Sequence, residues 1–133
     1  MFDVLDIGAS GLSAQRMRMD TIAGNMANMN TTHDASGKVG PYRRRFAVFS
    51  SGRAGEAGKP GVRAEVKVDQ SPFQRRYEPG HPDADSDGYV LYPNIDLATE
   101  YVNMLEASRA YEANATMMDV TKAMMNSSLR LIA

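Results

Sequence analysis

The chain contains no cysteine and no tryptophan. The first absence excludes disulfides, thiolate metal sites and cysteine nucleophiles, but it leaves the redox compartment open. Two histidines, His33 and His81, are all the imidazole there is, and each falls in a stretch of turn formers without a spaced carboxylate or a second histidine. A metal-ligating or acid–base role is therefore not expected of either. Neither sign of charge dominates: 15 basic and 16 acidic residues give a formal net charge of −1, so no global field points to nucleic acid or an anionic membrane. Apolar runs stay well short of the ~18 residues that a spanning helix needs, which excludes membrane insertion by that route. The start, Met1-Phe2-Asp3-Val4-Leu5-Asp6, carries acids where a secretory signal has a basic region. If the protein leaves the cytoplasm, it is expected to do so without a cleaved signal of that kind.

Glycine is missing after Gly88 and proline after Pro93, and that last stretch is where the chain is most regular. Leu97, Met104, Tyr111, Met118, Met125 and Ile132 follow one another at intervals of seven. Tyr101, Ser108, Ala115 and Leu129 flank this line on one side; Ala110, Met117, Met124 and Leu131 flank it on the other. Such a stripe marks a long helix made to lie against other helices. At 1.5 Å per residue the segment from Leu97 onward spans roughly 55 Å, more than the width of a small domain. Asn94 or Asp96 would cap it, Asp96 and Glu100 suit its positive end, and Arg130 suits its negative end. Glu106 with Arg109 and Asp119 with Lys122 are expected as surface pairs.

A second periodic segment covers residues 3 to about 30. Leu5, Leu12, Met19 and Met26 share one heptad position, with Ala9, Ile22, Ala23 and Met29 beside them. Gly8, Gly11 and Gly24 lie inside it at about 1 kcal/mol each relative to alanine, and Gln15 interrupts the apolar seam. Isolated helices of this kind are marginal in water, so both terminal helices are expected to be partly disordered in the monomer and to order on association. Ten methionines, concentrated in these two segments, suit surfaces that repack against several neighbours.

Between the helices the composition shifts to turn formers and short strands. Residues 42–49, 62–69, 73–77 and 89–92 read as strands, the second by strict alternation of Val62, Ala64, Val66 and Val68 with Arg63, Glu65, Lys67 and Asp69. Residues 50–61 hold four glycines and a proline and read as a flexible loop. The fold class is thus α+β, with long terminal helices pairing as a coiled-coil-like unit and a small, loop-rich β module inserted between them. The expected divisions are 1–30, 31–93 and 94–133.

Two chemistries are hinted at and set aside. Asp83, Asp85, Asp87 and Gly88 reproduce the first half of an EF-hand loop, but Asn94 stands where the bidentate glutamate belongs and Pro79-Gly80-His81-Pro82 replaces the entering helix. A turn leading into a strand is the better reading. Arg43-Arg44-Arg45 and Arg75-Arg76, with Tyr42, Phe46, Phe73 and Tyr77, have the makings of a nucleic-acid patch. Neutral overall charge favours solvated strand faces or a protein interface instead. No catalytic constellation or phosphate loop is present in the sequence, and no metal or cofactor is expected.

Three separated motifs carry a resemblance. Residues 9–32, from Ala9-Ser10-Gly11-Leu12-Ser13-Ala14-Gln15 to Asn25-Met26-Ala27-Asn28-Met29-Asn30-Thr31-Thr32, resemble the N-terminal motif of the bacterial flagellar rod and hook axial protein family. Ser71-Pro72-Phe73, Tyr77-Glu78-Pro79-Gly80-His81-Pro82-Asp83-Ala84-Asp85, Gly88-Tyr89-Val90 and Pro93-Asn94 are similar to the middle of its proximal-rod members. Met104-Leu105-Glu106-Ala107-Ser108-Arg109-Ala110-Tyr111-Glu112-Ala113-Asn114 resembles their C-terminal helix. The likeness departs mainly over residues 50–61.

This resemblance implies a non-enzymatic subunit of the basal-body rod, a hollow drive shaft crossing the periplasm. The terminal helices would line the inner wall and the β module would face outward. It implies export, unfolded, through the flagellar type III apparatus, with copies of itself, other rod subunits and components at the base of the rod as partners. A distal-rod or hook-junction member of the same family is the near alternative; a nucleic-acid module is the distant one. The residues expected at the assembly interface are Leu5, Leu12, Met19, Ile22, Met26, Leu97, Met104, Leu105, Tyr111, Met118, Met125, Leu129 and Ile132.

Overall fold

The computed structural model describes residues 2–52 and 59–132. Two helices, α1 (Phe2–Ala27) and α2 (Leu97–Ile132), bracket four short strands, β1 (Arg45–Ser51), β2 (Val62–Val68), β3 (Gln74–Tyr77) and β4 (Tyr89–Tyr92). The architecture is α+β, as the periodicities predict. β1 starts later than expected, at Arg45 rather than Tyr42, and runs on through Ser51. The expected loop over residues 50–61 otherwise falls largely outside the described residues.

The helices run antiparallel in one register. A Cβ on Gly8 would lie 2.9 Å from Met118 Cγ, and one on Gly11 would lie 3.2 Å from Asn114 Nδ2. Further along, Arg18 Nη2 meets Glu106 Oε2 at 3.1 Å and Asn25 Nδ2 meets Glu100 Oε2 at 3.1 Å. The two glycines that weaken α1 as an isolated helix therefore let α2 approach closely. Ala107, fully buried, and Ala14, 3% exposed, serve the same tight contact. Each step forward on α1 is a step back on α2, so residues 126–132 of α2 run past the start of α1.

Asp96 is the N-cap of α2: its Oδ2 accepts from the Thr99 amide and hydroxyl. Those bonds hold its carboxyl below the usual aspartate range, the Thr99 hydroxyl contributing most. Asn94, the other expected cap, instead accepts from the Arg44 amide at 2.9 Å and donates to the carbonyls of Asp69 and Ser71.

The β module consists of two separate antiparallel pairs, β1–β2 and β3–β4, rather than one sheet. Ser10 on α1 ties down the first: its hydroxyl accepts from the Val62 amide at 3.0 Å and donates to the Ile7 carbonyl. Val62 and Ala64 are half-covered, while Val66 and Val68 further along β2 are exposed. The second pair has its own small core of Val90, Tyr92, Pro93 and Ile95. Gly88 enters it at φ 82°, and a Cβ there would lie 2.9 Å from the Tyr77 ring, so both conformation and space require glycine.

Two aspartates of the half EF-hand are used within the fold. Asp85 Oδ1 accepts from the amides of Asp87 and Tyr89. Asp83 Oδ2 accepts from the Thr32 hydroxyl and meets His33 Nδ1 at 3.1 Å. His33 thereby meets a carboxylate that no local spacing supplies, because the loop after α1 folds back onto the turn before β4.

Candidate assembly surface

The geometry divides α2 into two apolar faces. One packs on α1: Ala107 is buried and Met104, Tyr111, Asn114 and Met118 are half-buried. The other carries Val102, Leu105, Met117, Val120, Met124 and Leu131, from 49% exposed at Val120 to 88% at Leu131. Steps of three, twelve, three, four and seven keep these six within about 120° of one another, on the side turned away from the α1 contact. An exposed apolar stripe of this length is the mark of an interaction surface.

The residues expected at an interface divide between these environments. Leu5, Leu12, Met19, Met26, Met104, Tyr111, Met118 and Met125 are half-buried, and Ile22 is buried at 5%. Leu97, Leu105, Leu129 and Ile132 are exposed. The heptad line of α2 is therefore partly consumed within the chain, while the flank holding Met117, Met124 and Leu131 carries much of the open surface.

A polar cluster that sequence reasoning missed anchors both helices to the β module. Glu100 and Asn25 are completely buried. Arg44 Nε donates to Glu100 Oε1, and Arg44 Nη1 lies 3.3 Å from Asp69 Oδ2. Asn25 brackets Arg45, donating to its carbonyl at 2.7 Å and accepting from its amide at 2.9 Å. A buried carboxylate is tolerated only when paired and hydrogen-bonded, and here both oxygens are engaged. A sequence signal exists only in hindsight, in an asparagine and a glutamate on the inward faces of otherwise apolar helices.

The arginines of the expected basic patch are engaged within the chain. Arg43, Arg75 and Arg76 lie 4.2–4.5 Å over the rings of Phe73, Tyr89 and Tyr92, and Arg45 lies 5.6 Å over Tyr42. A cleft of about 360 Å³ between α1 and β1 is lined by Arg18, Arg44, Ile22, Phe46 and Asn103 among others. Arg18 and Arg44 there are already paired with Glu106 and Glu100. Glu106 thus reaches across to α1, not along its own helix to Arg109 as expected. Asp119 and Lys122 do pair, at 3.9 Å. Among the described residues no helix is long and apolar enough to cross a membrane, and no group of three or more metal-ligating side chains occurs.

Two glycine-notched, antiparallel terminal helices around a small β module, with an apolar face left open, make a structural subunit suited to packing against other helices. Residues 5–32 match the family model described as flagella basal body rod protein, and residues 86–131 match that of the flagellar basal body rod FlgEFG protein C-terminal region. The flagellar basal-body rod protein FlgC of Borreliella burgdorferi is 37% identical, over 99% of this chain and 97% of the relative. Those of Bacillus subtilis and Escherichia coli O6:H1 are 37% and 39% identical, each over 98% of this chain and 97% of the relative. The chain belongs to the FlgC family of flagellar basal-body rod proteins. It is accordingly a non-enzymatic structural subunit of the rod.

Proposed function

We propose that this subunit builds the rod by laying the open face of α2 against the helices of neighbouring copies and of other rod subunits. The observation that carries the reading is the exposed stripe from Val102 to Leu131, continued by the end of α2 that runs past α1. Contacts of that kind are heterologous, and heterologous contacts that do not close into a ring produce an open helical array. In this reading the helices, residues 1–30 and 94–133, pair in coiled-coil fashion and form the inner wall of a hollow shaft that transmits torque. Residues 31–93 form the outward module. Leu97, Leu105, Leu129 and Ile132 contact neighbours directly. The half-buried Leu5, Leu12, Met19, Met26, Met104, Tyr111, Met118 and Met125, with buried Ile22, set the shape of the pair that docks.

The same reading has the chain delivered without a cleaved signal through the type III export apparatus, and meeting components at the base of the rod that crosses the periplasm. Marginal terminal helices favour such delivery, since threading requires unfolding. A nucleic-acid role is not favoured, because the arginines it would need are stacked or paired within the chain. Replacing Leu105 and Val120 with aspartate tests the surface. In dilute solution circular dichroism should stay that of the parent, while ordered fibres at high concentration and motility of the host cell should be lost. Normal motility in that double variant would overturn the assignment of this face.

A further inference from the structure

The sequence holds two adjacent methionine pairs seven residues apart, Met117-Met118 and Met124-Met125, and the structure treats the members of each pair differently. A rotation of about 100° per residue separates neighbours on a helix. Met118 turns inward, where its Cγ and Sδ lie 2.9 and 3.3 Å from the position a Cβ on Gly8 would take. Met125 is half-buried. Met117 and Met124 turn outward, each 65% exposed, and sit in the middle of the apolar face of α2. With no cysteine in the chain, thioethers are its oxidisable sulfur.

We propose that Met117 and Met124 form an oxidation site on the unassembled subunit, at which a peroxide switches off the docking face. The proposal rests on the assembly reading given above. The chemistry is a two-electron oxygen transfer. The thioether sulfur attacks one peroxide oxygen, the O–O bond breaks, an S–O bond forms, and the other oxygen leaves as water. Each sulfur is oxidised to the sulfoxide and one hydrogen peroxide is reduced. A sulfoxide is polar and reversible by methionine sulfoxide reductases, so it converts apolar contact surface into surface that resists burial without breaking the helix. Subunits already docked have these sulfurs covered, so the modification acts on those not yet incorporated.

Full-length protein treated with graded hydrogen peroxide and mapped by peptide mass spectrometry tests the site. Met117 and Met124 should gain one oxygen several-fold faster than Met118; equal rates would overturn the proposal. Fibre formation then tests the consequence. Peroxide should abolish fibres of the parent protein, whereas Met117→Leu/Met124→Leu should assemble at the same dose. Met118→Leu should confer no such protection. Loss of fibres by the outward double variant at the parent's peroxide dose would show that the inhibitory oxidation lies elsewhere. If the untreated parent forms no fibres at all, self-assembly itself fails, and the switch with it. The mass map still decides separately whether the outward sulfurs are the reactive ones.

Discussion

The side-chain amide of Asn25 donates to the carboxylate of Glu100 across 3.1 Å and 75 residues of chain, and neither side chain reaches solvent. Because Arg44 holds the other carboxylate oxygen and Asn25 also brackets the Arg45 backbone, one contact joins α1, α2 and the start of β1. Glu100→Ala leaves Arg44 without its closest partner and Asn25 with an unmet donor. Removing one member of a buried pair typically costs about 3–5 kcal/mol. Urea unfolding should show a loss of that size, and Glu100→Gln a smaller one, since the amide oxygen still accepts. An Ala variant within 1 kcal/mol or so of the parent would contradict the anchoring role.

Gly8 faces Met118 with no room for a side chain. Gly8→Leu should destabilise by about 1–3 kcal/mol through overpacking, although leucine is the better helix former. Met118→Ala should recover part of the loss when combined with it, because the cavity accepts the new side chain. A thermal double-mutant cycle reads that coupling directly. Strict additivity would mean that the two positions do not meet.

Stability should fall on acidification through Asp83. The Thr32 hydroxyl, and then His33, hold its carboxyl below the ordinary aspartate range. A depressed folded pKa gives stabilisation that is complete above the unfolded value and is lost as pH falls through the folded one. Thr32→Val removes the largest cause. The urea midpoint of this variant should therefore decline less between about pH 4 and pH 2 than that of the parent. Parallel declines would assign the acid limb to other carboxylates, such as Asp69, which Ser71 depresses, or Asp96, which Thr99 depresses.

Helix content should depend on concentration. α2 displays apolar residues on both sides, and residues 126–132 are exposed throughout. Far-ultraviolet circular dichroism should show helicity rising with protein concentration as that end orders against neighbours. Leu105→Asp/Val120→Asp should abolish the rise and leave the dilute spectrum unchanged. A parent spectrum that is fully helical and independent of concentration would oppose association-driven ordering.

By itself the sequence determined what is local. Seven-residue spacing without glycine or proline marks α2, strict alternation marks β2, and Gly88 marks a turn; each depends only on backbone geometry within a few residues. The motifs at both ends also sufficed to place the chain among flagellar rod proteins. Tertiary structure alone decided which side of each periodic element is already used. Asp96 and Asn94 are equally good caps by residue type, and docking of the Arg44 backbone onto Asn94 leaves Asp96 to cap. Glu106 has Arg109 in reach by spacing, yet the register of α1 presents Arg18. Met117 and Met118 are identical in composition and adjacent in sequence. Only the close approach at Gly8 makes one of them packing and leaves the other as surface, because a helix carries no mark of its partner until the partner is in place.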